Sequence, residues 1–304
     1  MSDIRLFDIS GVECTELVAA SMRLERSLQT EIERNLESML GVRFLASEYT
    51  TSKLHGGRMD TLGLDENGCP VIIEYKRDTN ENVINQGLFY LDWLLDHRGT
   101  FELLVQKTLG PHAAEKIDWS SPRLLCIAGG FTRYDEHAVQ QIDRNIELIR
   151  YRQYGKQLLL FELVNAATAS PLITTPTGAK SPNASKQKTV TESLAAASPE
   201  LQSVFDGLRA FLEALGDDVH MHTLKYYFAF RRMKNFACEE VRPQVSNLLI
   251  YAKLNPDQVA LVPGFTRDVR KIGHMGPGDL EITISCEEDL EKAKELLTDS
   301  YNVS

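Results

Sequence analysis

The chain has 304 residues, 43 of them acidic and 33 basic, for a formal net charge of −10. That length suggests two domains. The charge argues against a polybasic protein that holds nucleic acid by bulk cationic attraction, but not against one that holds phosphate through a metal and a local basic rim. Five cysteines stand far apart as Cys14, Cys69, Cys126, Cys238 and Cys286, with no CxxC, so neither a zinc ribbon nor a disulfide framework is indicated. The opening Met1-Ser2-Asp3-Ile4-Arg5 lacks a signal-peptide pattern, and the apolar run near Leu158 is broken by Glu162. The expectation is a cytoplasmic protein with no membrane span.

Ile4 to Asp8 alternates weakly and reads as a short strand. From Arg23 to Leu40 the pattern predicts a helix, with Leu24, Leu28, Ile32, Leu36 and Leu40 as its apolar stripe and Gly41 as its stop. Val42 to Thr50 reads as a strand, followed by a loop with His55, Gly56 and Gly57. Glycines there would let a DNA backbone approach closely, and His55 is placed to touch a phosphate, though a surface histidine is the plainer reading.

The stretch from Gly57 to Tyr90 carries the chemistry. Asp65-Glu66-Asn67-Gly68 is turn chemistry, and it lies between the short run Gly57-Arg58-Met59-Asp60 and the apolar strand Val71-Ile72-Ile73 that ends in Glu74, Tyr75 and Lys76. The loop length decides whether a site exists. A two-residue loop of Asn67-Gly68 puts Asp60 and Glu74 on opposite faces, because side chains alternate along a strand. A three-residue loop of Glu66-Asn67-Gly68, with Gly68 left-handed, pairs Asp65 with Cys69. It then sets Asp60 opposite Glu74 and Arg58 opposite Lys76. The three-residue register, or a bulge with the same effect, is predicted. Two carboxylates this close repel, and a divalent cation such as Mg²⁺ or Mn²⁺ removes the conflict. Lys76 projects to the same side, where it can orient a water or stabilise charge building on a phosphate. A carboxylate pair, a metal and a lysine are the parts of metal-assisted phosphodiester hydrolysis. Exposed charges on a solvated hairpin are the plainer alternative.

Glu81 to His97 reads as a helix with Ile84, Leu88, Leu91 and Leu95 as core, and with Gln86, Tyr90, Trp93 and His97 on a neighbouring face. Gln86 is placed to bond a phosphate or a site carboxylate, with Tyr90 packed beside it. Trp93 reads as core. Thr100 to Leu109 reads as a helix, Arg123 to Ala128 as a strand ended by Gly129-Gly130, Asp135 to Leu148 as a helix and Gln157 to Val164 as a strand. Arg150, Tyr151, Arg152 and Tyr154 alternate in a way that suits either a backbone-tracking rim or an ordinary edge strand. The order fits an α/β sandwich around a mixed sheet over residues 1–165.

Residues 166–199 are rich in Ala, Ser, Thr and Pro and read as a flexible linker. A smaller α+β domain is expected over 200–304. It has an amphipathic helix from Leu201 to Leu215, strands at Tyr226–Arg231, Phe236–Arg242, Ser246–Leu254 and Leu280–Ser285, and a last helix to Tyr301 opened by a Ser285–Glu288 capping box. Its aromatics Tyr226, Tyr227, Phe228, Phe230 and Phe236, interleaved with Lys225, Arg231, Arg232, Lys234 and Arg242, read first as core and second as a single-strand binding surface. The Gly-rich Lys271–Asp279 lacks the phosphate-loop Lys-Ser/Thr spacing.

Asp60 with Glu74-x-Lys76 resembles the PD-(D/E)xK nuclease superfamily. Gln86-x-x-x-Tyr90 resembles the QxxxY extension of its RecB-like branch, and the surrounding wording is most similar to the nuclease domain of NucS-type mismatch endonucleases. The resemblance covers about the first half of the chain. Met59 stands where the superfamily's name has Pro. The resemblance implies a restriction-endonuclease-like core and a Mg²⁺- or Mn²⁺-dependent DNA endonuclease acting in repair or defence. Asp60, Glu74, the Tyr75 carbonyl and Glu25 of the first helix would hold the metal, with Glu33 as the fallback for Glu25. Lys76 and Gln86 would complete the catalytic set, and Arg58, Tyr90 and His55 would face DNA. The second half is similar to a small domain of unknown function that recurs behind such nucleases. The alternative on the same fold is a catalytically silent nucleic-acid-binding or regulatory module. A homodimer is compatible with the sequence, which does not fix oligomeric state.

Overall fold

A computed structural model describes residues 4–22, 24–51, 56–79, 82–167 and 188–304, so His55 and most of the expected linker lie outside the described residues. The chain divides into two compact units, one of residues 1–64, 70–115 and 122–167, the other of residues 65–69, 116–121 and 168–304. Among the described residues no helix is long and apolar enough to cross a membrane.

The first unit opens with a small antiparallel pair, β1 (Leu6–Asp8) and β2 (Thr15–Leu17). There follow β3 (Ala19–Ala20), α1 (Glu25–Arg34), α2 (Leu36–Leu40), β4 (Val42–Thr50), β5 (Arg58–Asp65), β6 (Pro70–Lys76), α3 (Val83–Asp96), α4 (Arg98–Leu109), α5 (Pro111–Glu115), β7 (Arg123–Ala128), α6 (Arg133–Gln140), β8 (Asn145–Tyr154) and β9 (Leu158–Ala167). The main sheet has seven strands in the order β3-β8-β7-β6-β5-β4, with β9 on β8. β6, β7 and β8 run parallel, whereas β5 and β9 pair antiparallel, so the sheet is mixed. Helical crossovers join the parallel strands, which no short hairpin could connect. All six residues of β7 are buried, the pattern of a central parallel strand covered on both faces.

Three expectations are corrected here. The helix predicted over Arg23–Leu40 is two helices broken at Asn35, whose φ of −123° and ψ of 20° leave the helical region. Residues twelve apart on a straight helix stand about 120° apart around the axis. The break therefore lets Leu28, Ile32, Leu36 and Leu40 share one core, while Leu24 is exposed. Second, the helix predicted over Asp135–Leu148 ends at Gln140, and Asn145 begins strand β8. Seven successive residues of β8 are buried, and burial between two neighbouring strands overrode the local pattern. Third, Tyr151 and Tyr154 are core, Arg150 is buried against Glu162 (Nε to Oε2, 3.3 Å) and only Arg152 of the four is exposed, so they form no rim, and β8, paired on both sides, is no edge strand.

The second unit carries α7 (Val190–Ala195), α8 (Pro199–Glu213), β10 (His220–Thr223), β11 (Phe228–Arg231), β12 (Asn235–Arg242), β13 (Asn247–Ala252), β14 (Thr266–Asp268), β15 (Leu280–Ile284) and α9 (Glu287–Val303). The strands form an antiparallel sheet in the order β10-β11-β12-β13-β15-β14. Leu201, Phe205, Leu208, Phe228, Phe230, Phe236, Ile250, Ile282 and Leu297 share its core, so the aromatics are structural. β10 and β14 escaped the sequence reading, being only four and three residues long. The stretch read as linker holds the end of β9 and all of α7, which Thr189 and Glu192 close with a capping box. Cys286 precedes α9 with no side-chain cap, and the Ser285 N–H donates to Asp289 Oδ2 (3.1 Å) in place of the expected Glu288.

Candidate active site

The site is built on the β5–β6 hairpin. Gly68 adopts φ +80°, and a Cβ there would also meet the Lys116 carbonyl oxygen at 2.6 Å, so both conformation and space require glycine. Asp65 Oδ1 accepts the N–H groups of Asn67 (2.9 Å) and Cys69 (2.8 Å), fixing the turn from inside. The Asp65 N–H donates to the Cys69 carbonyl (2.9 Å), and Thr61 pairs with Ile73, Leu62 with Ile72 and Gly63 with Val71. This is the three-residue register. It sets Asp60 against Glu74, whose Oε1 accepts the Asp60 N–H (3.2 Å), while Asp60 Oδ2 accepts the Tyr75 N–H (3.0 Å).

Glu74 is fully buried at the end of an apolar strand, and its Oε2 is buried without a hydrogen bond. Burial first, then the Asp60 charge, pushes its carboxyl up to about 9. Burial also raises Asp60, against the pull of the Tyr75 N–H and the Lys76 charge. The two carboxyls thus carry a shared electrostatic deficit on one face, with an acceptor atom to spare. That donor set fits a hard divalent cation. Among the described residues no group of three or more His, Cys, Asp or Glu side chains is gathered to hold a metal ion. The third expected carboxylate is engaged elsewhere: Glu25, the first residue of α1, lies 3.5 Å from Lys76 Nζ and accepts the Arg77 N–H (3.2 Å). Lys76 is mostly buried and follows Glu74 by two residues, so alternation puts both on one face. Glu33 bonds Thr61 Oγ1 (2.5 Å) and Gln29 instead.

On α3 the buried residues are Val83, Ile84, Gly87, Tyr90, Leu91, Trp93 and Leu94, a face rotated from the expected stripe, since Leu88 and Leu95 are only half-buried. A Cβ at Gly87 would meet Leu124 at 2.5 Å, so glycine lets α3 lie on β7. Tyr90 Oη accepts the Arg58 N–H (3.2 Å) and Gln86 Nε2 (3.3 Å), and its ring lies against Gly57. The Gln86–Tyr90 pair therefore anchors the entry of β5, with Gln86 joined to the site through Tyr90. Trp93 is core and stacks on His97 with ring centres 4.3 Å apart. The exposed Arg58 side chain is paired with Glu48 (2.5 Å). The ring of Tyr75 is buried on the other face, as is Met59.

Two residues went unnoticed in the sequence. Gln29 is buried and its Nε2 donates to the Asp60 carbonyl (2.8 Å), Ser47 Oγ (3.2 Å) and Glu33 (3.1 Å). The signal was a Gln29/Glu33 pair four residues apart, flanking Leu28 and Ile32. Glu48 sits within strand β4 at φ +52°, and its charge acts on Asp60. No periodicity could report that conformation.

Residues 190–304 match a family described as a domain of unknown function, DUF5655. Over 301 residues the chain is 27% identical to an uncharacterized protein of Haemophilus influenzae, covering 97% of this chain and 98% of that one. A repair endonuclease from Pyrococcus abyssi is similar over 44% of this chain and 49% of its own, at 18% identity and a TM-score of 0.29. An EndoMS–dsDNA complex is similar over 43% of this chain and 47% of its own, at 17% identity and a TM-score of 0.27. The chain thus spans about half the length of these two structures.

Proposed function

We propose that this chain is a Mg²⁺- or Mn²⁺-dependent DNA endonuclease with its active centre at Asp60, Glu74 and Lys76. One observation supports this above the others: the hairpin register opposes Asp60 to a fully buried Glu74 that has an unbonded oxygen. Such a carboxylate is costly to a fold, and one that faces a second carboxylate with a lysine on the same side marks a candidate site. Asp60, Glu74 and the Tyr75 carbonyl would hold the cation. When bound, it would supply charge neutralisation and a water more readily deprotonated at neutral pH. Lys76 Nζ donates hydrogen bonds towards the attacking water or the phosphate oxygen that gains charge. Glu25 holds Lys76 in place and accepts the Arg77 N–H, which sets the position of that lysine beside the carboxylate pair. Tyr90, bonded to the Arg58 N–H and to Gln86, fixes the β5 entry so that the Arg58 guanidinium meets the DNA backbone.

A second reading, a silent binding or regulatory module, is favoured by the Glu25 contact, because that carboxylate stands on Lys76 and not with Asp60 and Glu74. Cleavage of supercoiled, single-stranded, mismatched and branched DNA with Mn²⁺ separates the two. Cleavage by wild type that is lost in Glu74→Ala is expected. Binding without cleavage in both proteins would give the second reading.

A further inference from the structure

The hairpin that carries Asp60 and Glu74 ends in a turn, residues 65–69, that is counted within the second compact unit. Hairpin turns are commonly solvated, but Asp65 and Cys69 are both 1% exposed. Cys69 packs with Leu224, Tyr227, Ala229, Cys238 and Tyr251. The polar atoms of the turn are bonded to β11–β13 and the loops beside them. Tyr227 Oη donates to Asn67 Oδ1 (3.0 Å), and Asn235 Nδ2 donates to the same oxygen (2.7 Å). The Asn235 N–H donates to Glu66 Oε2 (3.1 Å), and Lys253 Nζ is paired with Glu66 Oε1. The Gly68 carbonyl accepts the Asp118 N–H (2.9 Å). Both variable side chains of the three-residue loop are therefore held by named partners.

We propose that Tyr227, Asn235 and Lys253 are positioning residues that clamp the turn Glu66-Asn67-Gly68 in its three-residue form, and so hold Asp60 opposite Glu74. This rests on the nuclease reading above and gives part of the DUF5655 region a role in it. The physical case is the sensitivity of a strand pair to register. A one-residue slip turns every side chain of one strand to the other face. The two-residue loop of Asn67-Gly68 is an ordinary alternative for the same sequence, and it would separate the two carboxylates. The Asn235 N–H and Lys253 bonds to Glu66 are specific to the longer loop, because the shorter one draws Glu66 into the strand, and the Tyr227 and Asn235 side chains hold Asn67 beside it.

The test uses the full chain with Tyr227→Phe and Lys253→Met combined, since each keeps the apolar body of the side chain. Amide hydrogen exchange of Thr61, Gly63, Ile73 and Tyr75 is the primary readout, beside Mn²⁺ affinity and cleavage. About tenfold faster exchange is expected, the equivalent of one or two lost hydrogen bonds. kcat should fall in similar proportion with KM for DNA nearly unchanged, as befits a residue that acts through the carboxylates. Hairpin exchange at the wild-type rate in the folded variant overturns the proposal. Should β11–β13 lose protection as well, Glu66→Gln decides, because it leaves Tyr227, Asn235 and Lys253 in place. It must show the same faster exchange, and an unchanged hairpin there overturns the clamp. If wild type cleaves no DNA yet both variants loosen the hairpin, the clamp stands and the nuclease reading alone falls.

Discussion

Among the described residues two glutamates are fully buried and short of hydrogen bonds, one in each unit. Glu74 stands opposite Asp60 with Lys76 two residues on. Glu239, on β12, stands between Phe228 and Ile250 in register, on the face of the sheet that packs the helical core, and neither of its oxygens has a partner. Burial raises both carboxyls, but only Glu74 has neighbouring charges that act on it. Burial of an acid is thus not by itself a site. What marks Glu74 is convergence: a second carboxylate, a cation on the same face and a register that brings them together.

The largest expected effect separates the two residues by activity. Glu74→Gln should lower Mn²⁺-dependent cleavage by roughly a thousandfold, the scale on which removing a key electrostatic group acts. Glu239→Gln should leave cleavage unchanged within twofold. Gly68→Ala should approach the loss seen with Glu74→Gln, because a left-handed residue facing the Lys116 carbonyl cannot carry a Cβ without moving the turn.

Next in size are effects on stability. The folded Glu74 carboxyl sits at about 9 against an ordinary value of 4.5, so the native state binds its proton more tightly than the unfolded chain does. That contribution is complete below the ordinary value and is lost as pH rises through about 9. Without divalent cation, thermal melts should show stability falling between those limits, and Glu74→Gln should flatten the slope, gaining on the order of a few kcal/mol at pH 8. Mn²⁺ should stabilise wild type increasingly as pH rises. Glu239→Met should also stabilise the protein, by about 1–3 kcal/mol, by removing a buried polar group with no partner.

Smaller effects test the supports. Gln29→Leu removes the donor to the Asp60 carbonyl and should cost about tenfold in kcat, about one hydrogen bond. Tyr90→Phe strips the acceptor of the Arg58 N–H and should cost about 1 kcal/mol of stability with a modest rise in KM for DNA.

The legible part of this molecule was local. Asn67 and Gly68 announced the turn, and counting back from it reached the observed pairing of Asp60 with Glu74. The apolar run of β6 and the helix stop at Gly41 were equally plain. Tertiary decisions were not. The break at Asn35 depends on what α1 and α2 pack against, and the strand at Asn145–Leu148 depends on a parallel neighbour far along the chain. Gln29 looked like a helix surface residue, because its partner is a backbone carbonyl 31 residues away. Arg150 and Tyr151 carried the residue types of a binding rim, but the sheet buries them.

Asp60 and Glu74 are proposed to form one cation site. Calorimetric titration of Mn²⁺ at pH 7.5, in two buffers of different ionisation enthalpy, tests it most directly. With the Glu74 carboxyl at about 9 in the free protein, binding should release close to one proton per Mn²⁺. Both binding and release should vanish in Glu74→Gln. Mn²⁺ binding of equal strength in wild type and Glu74→Gln, or none in either, would contradict the claim.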